Sequence, residues 1–246
     1  MLITGKTDIG AVRSRNEDAF DYGVLPDGTS WAIVCDGMGG VHGGKIASTA
    51  AIEMVSEKIK KCYNPSMSVS SLENLLLSSI TTANVDVFDR GVFDNSLKGM
   101  GTTIVAALVK NNEVCIAHVG DSRAYIIRDK SIEQITKDHS LVQEMLDKGQ
   151  ITKEEYENNP IKNIITRAMG VDEEIDIEFD YIYLNDGDAL LLCTDGLSGM
   201  VSDSKLLEIY LNTDFDNLAE KYISEANNNG GSDINASCGQ LRRGEK

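Results

Sequence analysis

Three apolar runs in this chain end on an aspartate, and each of those aspartates has a glycine beside it. They are Trp31-Ala-Ile-Val-Cys-Asp36-Gly, Ala117-His-Val-Gly-Asp121 and Leu190-Leu-Leu-Cys-Thr-Asp195-Gly. A short apolar run bounded by a glycine turn reads as a buried strand, so each carboxylate is delivered to a fixed place at a sheet rim. One Asp-Gly alone would be an ordinary turn dipeptide. Three with the same upstream texture constrain the fold, because strands in adjacent sheets can bring such ends together. Crowded carboxylates repel one another unless a cation neutralises them. A fourth aspartate, Asp233, follows a sharp Asn-Asn-Asn-Gly-Gly break. Oxygen donors, with no His or Cys at chelating spacing, favour a hard ion such as Mg²⁺ or Mn²⁺ over Zn²⁺.

The remaining elements follow from periodicity. Leu2–Asp8 reads as a strand, and Pro26-Asp27-Gly28 as a turn. From Gly44 to Cys62, and again from Ser71 to Phe88, apolar residues recur three or four apart, which predicts two long amphipathic helices, the second capped by Ser70 or Ser71. The period then changes to two. Thr102–Val109 with Val114–Val119, and Ala124–Ile127 with Ile132–Ile135, read as hairpins on either side of Gly120-Asp-Ser-Arg123. Ile175–Leu184 and Ala189–Thr194 read as a third hairpin. Ser140–Lys148 is predicted as a short helix, Thr152-Lys-Glu-Glu155 has capping-box spacing, and residues 160–170 read as an irregular surface excursion. Two further helices are expected at Ser202–Leu211 and Asp216–Ala226. Hairpins interspersed with paired helices indicate an antiparallel α+β architecture.

At 246 residues and 41% hydrophobic content, one substantial core is within reach. A formal net charge of −16 disfavours nucleic acid and anionic membrane as partners. Five scattered cysteines without a Cys-x-x-Cys pair suit a reducing compartment, and no apolar run spans a bilayer, so a cytoplasmic setting is the expectation; a monomer is expected as well. Arg13, five residues before Asp18, offers a planar guanidinium that can grip a phosphoryl oxygen bidentately.

Seven motifs occur in order: Arg13-x-x-Asn16-Glu17-Asp18, Asp36-Gly-Met-Gly-Gly with Ala47-Ser48, Gly99-Met-Gly-Thr-Thr103, Gly120-Asp-Ser-Arg123, Thr136-Lys-Asp-His-Ser140, Leu191-Leu-Cys-Thr-Asp-Gly-Leu197 and Gly231-Ser-Asp233. Together they resemble the bacterial branch of the metal-dependent type 2C (PPM) protein serine/threonine phosphatases, over about residues 2–233. The resemblance implies a four-layer αββα sandwich of two mainly antiparallel sheets, a single catalytic domain over 1–233 and a flap near 140–170. It implies a centre of two Mn²⁺ or Mg²⁺ ions, with room for a third. Asp36 would bridge the pair and the carbonyl of Gly37 would ligate one ion. Asp195 and Asp233 would hold one ion, and Asp18 the other. Asp121, with Asp195, would match the third position, and Arg13 would clamp the phosphate. The implied reaction is direct attack of a bridging hydroxide on phosphoserine or phosphothreonine, opposing a bacterial Ser/Thr kinase. Asp36, Asp195 and Arg13 are its expected catalytic residues.

Competing chemistries fit less well. No cysteine has an arginine six positions on, and Gly196-Leu-Ser198-Gly199 lacks the spacing of a serine-hydrolase elbow. His42 stands where a dinucleotide fingerprint needs its third glycine. A regulatory pseudophosphatase and a small-molecule phosphohydrolase on the same fold are the alternatives. The chain also departs from its relatives. Met38 replaces a His common in eukaryotic members, and Lys45, standing where an acid is frequent in bacterial ones, reads as a tolerated surface change. His42 reads as an exposed loop residue, His139 as a helix-start residue and His118 as structural. Residues 234–246 show no strand pattern, which predicts a truncated, frameshifted or vector-derived tail and a missing core strand.

Overall fold

In the computed structural model, residues 1–10, 13–40 and 42–229 are described in full, and 236–242 by their backbone. The chain opens with β1 (Leu2–Asp8), β2 (Ala19–Val24), β3 (Ser30–Cys35) and β4 (Gly37–Met38). Two long helices follow, α1 (Gly43–Cys62) and α2 (Val69–Phe93). Next come β5 (Gly101–Thr102), β6 (Ile104–Lys110), β7 (Glu113–Val119), β8 (Arg123–Arg128) and β9 (Ser131–Gln134). The segment after β9 carries α3 (Leu141–Asp147) and α4 (Lys153–Glu157), where the flap was expected. The chain continues through β10 (Glu178–Tyr183), β11 (Ala189–Cys193), α5 (Asp195–Ser198), α6 (Asp203–Asn212), α7 (Phe215–Asn228) and β12 (Ala236–Arg242).

Two five-stranded antiparallel sheets stack face to face. One runs β10-β7-β6-β3-β2 and the other β1-β12-β11-β8-β9. Alternation along each strand sends one set of side chains between the sheets and the other towards helices. Val34, Val105, Ile116, Ile126 and Leu192 belong to the core between the sheets. Trp31, Ile33, Leu108 and Ala117 face α1 and α2, where they meet Val55, Ile59, Leu76 and Ile80. Tyr125, Leu191 and Cys193 face α6 and α7, against Leu206, Leu218 and Tyr222. The result is the expected αββα sandwich.

Trp31 shows how register fixes packing. It pairs with Gly23 across β2, and a Cβ on Gly23 would lie 2.9 Å from the indole. Glycine there leaves room for the ring, and the Lys60 ammonium covers it at 4.9 Å from the centroid.

Three expectations need correction. The second helix begins at Val69 because the Ser68 side chain accepts the amide of Ser71, so the two candidate cap serines lie inside the helix. The third hairpin does not exist: β10 pairs with β7, while β11 pairs with β8 and β12 in the other sheet. Leu184 N–H donates to Asn112 O (2.8 Å), which ties the end of β10 to its own sheet. Arg128 of β8 donates to Asp188 Oδ2 (2.8 Å) and to the carbonyl of Tyr183, so it braces the crossover from one sheet to the other. Last, residues 236–242 form β12, antiparallel to β1 on one side and β11 on the other, so the sheet is complete where a gap was expected. The stretch lacks strand-forming residues, but an interior slot offers backbone partners on both edges, and those outweigh weak local propensity.

Ending the chain at residue 235 would leave two unpaired ladders facing each other. Such a variant is expected to melt about 10 °C or more below the parent by scanning calorimetry; equal melting temperatures would show that β12 contributes nothing.

Candidate metal centre

Asp36 emerges from the end of β3 and is held by its backbone rather than its carboxyl. Its amide donates to Thr103 Oγ1 at 2.9 Å. Its carbonyl accepts Thr102 Oγ1–H at 2.8 Å and Thr103 N–H at 2.9 Å. The Thr103 hydroxyl also bonds Ser122 Oγ at 2.7 Å. Those contacts join the Asp-Gly, Gly-Thr-Thr and Gly-Asp-Ser-Arg segments into one frame. With the backbone satisfied elsewhere, the carboxylate is left for other work.

Gly37 lies at a close crossing of backbones. A Cβ there would fall 2.1 Å from the Gly44 carbonyl oxygen and 2.6 Å from that of Glu17. No side chain fits, so β4 can lie directly on the start of α1.

Asp18 is fully buried, and its Oδ2 accepts the Thr194 hydroxyl at 2.9 Å. Its amide donates to Asn16 Oδ1 at 3.0 Å, and Asn16 in turn donates to Thr7 Oγ1. Lys45 is exposed, as expected of a surface change, and also donates its ammonium to the Asp18 carbonyl at 3.0 Å. Asp121 is buried in the turn between β7 and β8. Asp195 starts the single turn of α5 next to Thr194, and its Oδ1 is buried without a hydrogen-bond partner among the described residues.

These four carboxyls share one end of the sandwich. Burial, and then the charges of Asp18, Asp195 and Asp121, hold the Asp36 carboxyl well above the ordinary carboxylate range. Asp36 and Asp195 lie close enough to share a hydrogen bond, and Asp195 is also raised, chiefly by burial. Asp121 is pushed up to about 8, first by burial, then by Asp195 and Asp138. Four acids in one desolvated place, the Asp195 Oδ1 orphaned among the described residues, form a donor set that suits a hard divalent ion. The residues present therefore fit Mg²⁺ or Mn²⁺.

Arg13 is exposed and lines a neighbouring cleft of about 230 Å³ with Ser14, Arg15, Glu17 and Gly40. His42 is also exposed, and its ring meets the Arg15 guanidinium. Asp233 lies outside the described residues. A larger cavity of about 780 Å³ opens on Asp121 and Asp195 and runs beneath α4.

His118, His139 and Glu178 also cluster within ligating range of one another. Their hydrogen bonds argue against a metal there. His139 Nδ1 accepts the Gly120 amide (3.1 Å), so the neutral ring carries its proton on Nε2, which faces Glu178 Oε1 at 3.2 Å. Glu178 already pairs with Arg167 at 3.0 Å. Burial moves His139 down to about 4, so it is an uncharged hydrogen-bonding post at neutral pH. That agrees with its reading as a helix-start residue: Ser140 caps α3, and His139 anchors the chain just before it.

One pair went unread in the sequence. Asp138 of the Thr-Lys-Asp-His segment binds Arg123 bidentately, Nε to Oδ1 at 2.9 Å and Nη2 to Oδ2 at 2.7 Å. Both residues stood inside recognised motifs, but spacing alone gave no reason to join them.

Comparison with known proteins places this geometry. Residues 10–233 match the family description "Protein phosphatase 2C". The serine/threonine phosphatase stp of Listeria monocytogenes is 37% identical over 229 residues, covering 93% of this chain and 90% of that protein. The Streptococcus agalactiae serine/threonine phosphatase superposes with a TM-score of 0.91 at 32% identity, over 98% and 99% of the two chains. A catalytic domain of the phosphatase PstP, solved in complex with two manganese ions, gives 0.84 at 30% identity, over 97% and 96%.

The crowding has a measurable sign. A carboxyl raised in the folded state binds more protons than it does unfolded between about pH 4 and 8, so metal-free stability should fall as pH rises through that window. Calorimetry in chelator is expected to show the decline, and Mn²⁺ to raise the melting temperature most at the alkaline end. A metal-free melting temperature that rises from pH 5 to 8 would contradict the crowding. Under the same conditions Asp36→Asn is expected to melt above the parent without metal and to lose the increment from Mn²⁺.

Proposed function

The chain belongs to the protein phosphatase 2C family, and from that membership we propose how its residues divide the work. It is a metal-dependent protein serine/threonine phosphatase, and its substrates are phosphoproteins. The observation that carries the site assignment is the meeting of Asp18, Asp36, Asp121 and Asp195 at one desolvated rim, with Asp36 and Asp195 in hydrogen-bonding range.

In this reading Asp36 and the Gly37 carbonyl hold two ions, Mn²⁺ or Mg²⁺, together with Asp195, Asp233 and Asp18. Asp121, beside Asp195, offers a place for a third. Bound ions of this kind lower the pKa of water and neutralise charge on a transferring phosphoryl group. The protein supplies the rest. Thr102 and Thr103 fix Asp36 through its backbone, so the carboxylate needs no reorganisation when charge develops. Thr194 holds one oxygen of Asp18 and so fixes the direction of that carboxyl. Arg13, at the lip of the adjoining cleft, binds the substrate phosphate bidentately. Met38 carries no exchangeable proton and His139 is buried and bonded at both nitrogens, so solvent protonates the departing serine or threonine.

The physiological partner in this proposal is a Ser/Thr kinase whose products the enzyme reverses, and the working form is a cytoplasmic monomer. Support for a reducing setting comes from Cys35, Cys115 and Cys193, free thiols buried as packing elements. Among the described residues no helix is long and apolar enough to cross a membrane.

Phosphate release from a phosphothreonine peptide is the direct test. Turnover is expected with Mn²⁺ and none with chelator, and Asp36→Asn should lower kcat by about a hundred- to a thousandfold. Arg13→Ala should lower kcat/KM by about tenfold, the worth of one charge-assisted contact. Turnover that survives chelation would overturn the metal assignment.

A further inference from the structure

Both ends of the flap are tied to the metal-centre frame by backbone hydrogen bonds. His139 N–H donates to Gly120 O at 2.9 Å, Thr166 N–H to His139 O at 2.8 Å and Leu141 N–H to Ile164 O at 2.8 Å. On the far side Thr102 and Met169 exchange both of theirs, at 3.0 and 2.8 Å. The middle is held differently. Helix α4 has no buried residue, and a complete Thr152/Glu155 capping box closes its start locally. Of its five residues only Tyr156 is not exposed. The phenol donates to Asp138 Oδ2 at 3.3 Å and accepts from Arg123 Nη2 at 3.4 Å. Helix α4 packs against α3, and among the described residues the hydrogen bonds that tie it to the base beneath come from this one hydroxyl.

That hydroxyl sits on a rigid base. The Arg123–Asp138 pair is bidentate, Asp138 is buried, and Arg123 Nη1 also donates to the Tyr125 hydroxyl at 2.9 Å. Arg123 is two residues from Asp121, on the strand that leaves the site. The 780 Å³ cavity lies between this base and α4: Asp121 and Asp195 form its floor, Lys153, Tyr156 and Glu157 one wall, and the start of α6 the other. A cavity of that size exceeds what one phosphoryl group fills and leaves room for the residues around the phosphorylated one.

We propose that Tyr156 is a positioning residue, whose phenol on the Arg123–Asp138 ion pair holds α4 as the wall of the substrate cavity and so sets affinity for the protein segment around the phosphorylated residue. The proposal rests on the phosphoprotein reading above. The chemistry explains why one hydroxyl suffices. A five-residue helix is not stable by itself, and its position is decided by whatever contact orders it. A wall ordered before binding spares the substrate that cost, whereas an unlatched one makes it part of every association.

Tyr156→Phe keeps the ring and removes only the hydroxyl. With saturating Mn²⁺, KM for a phosphothreonine peptide is expected to rise about fivefold, the worth of one hydrogen bond, with kcat within about twofold. For p-nitrophenyl phosphate, too small to reach the wall, both constants should stay unchanged. In metal-free protein, amide exchange across 153–163 should quicken, while that of α1 should not. An unchanged peptide KM, equal shifts for both substrates, or unaltered exchange would each overturn the assignment. If the parent enzyme releases no phosphate from the peptide, the phosphoprotein reading falls, and the exchange comparison still decides whether the phenol holds α4.

Discussion

Four acids cannot share a desolvated rim without something to hold them there, because each ionised carboxylate makes the next harder to ionise. The sandwich supplies that restraint through backbone and hydroxyl contacts. Thr102 and Thr103 fix the Asp36 main chain, Thr194 fixes the Asp18 side chain, and Gly37 lies flat against Gly44. Each contact places a carboxylate without neutralising it. The site is thus built in an unfavourable electrostatic state, and the energy of the folded core offsets it. Cation binding relieves the same repulsion, so metal affinity and folding are linked through these residues.

Much of this was legible beforehand, for reasons that can be named. Asp36, Asp121 and Asp195 declared themselves because each ends an apolar run, and strand ends are where a sheet must stop. Both long helices showed through their three-and-four spacing, and the turn glycines through their neighbours. The sandwich itself needed the resemblance, since period-two runs reveal strands but not which sheet takes them. That gap produced the error at 175–194. The two runs look like a hairpin locally, and only their pairing with strands far away in sequence, β7 for one and β8 and β12 for the other, puts them in separate sheets.

The other misses share that character. Nothing in Ala-Ser-Cys-Gly-Gln-Leu-Arg predicts a strand, because its reason for being one lies in β1 and β11. Arg123 and Asp138 sit in different motifs, and their bond depends on the hairpin returning to its start. Lys45 is exposed, as read, but nothing in the sequence showed that its long stem reaches the Asp18 carbonyl. Tyr156 gave no hint, since an aromatic residue within a short polar helix has no periodic partner to mark its face. Local pattern identifies elements; contacts between distant segments decide what those elements touch.

The position of β12 carries a consequence for synthesis. The first strand of the chain, β1, has its sheet neighbour in residues 236–242. The sheet that carries α1 and α2 needs nothing beyond Tyr183, so it can assemble on a nascent chain while β1 still waits for a partner. Closing the second sheet is a contact of very long sequence separation and belongs to the slow end of folding. An enzyme that strips phosphate from other proteins therefore finishes its second sheet only when residues 236–242 have left the ribosome.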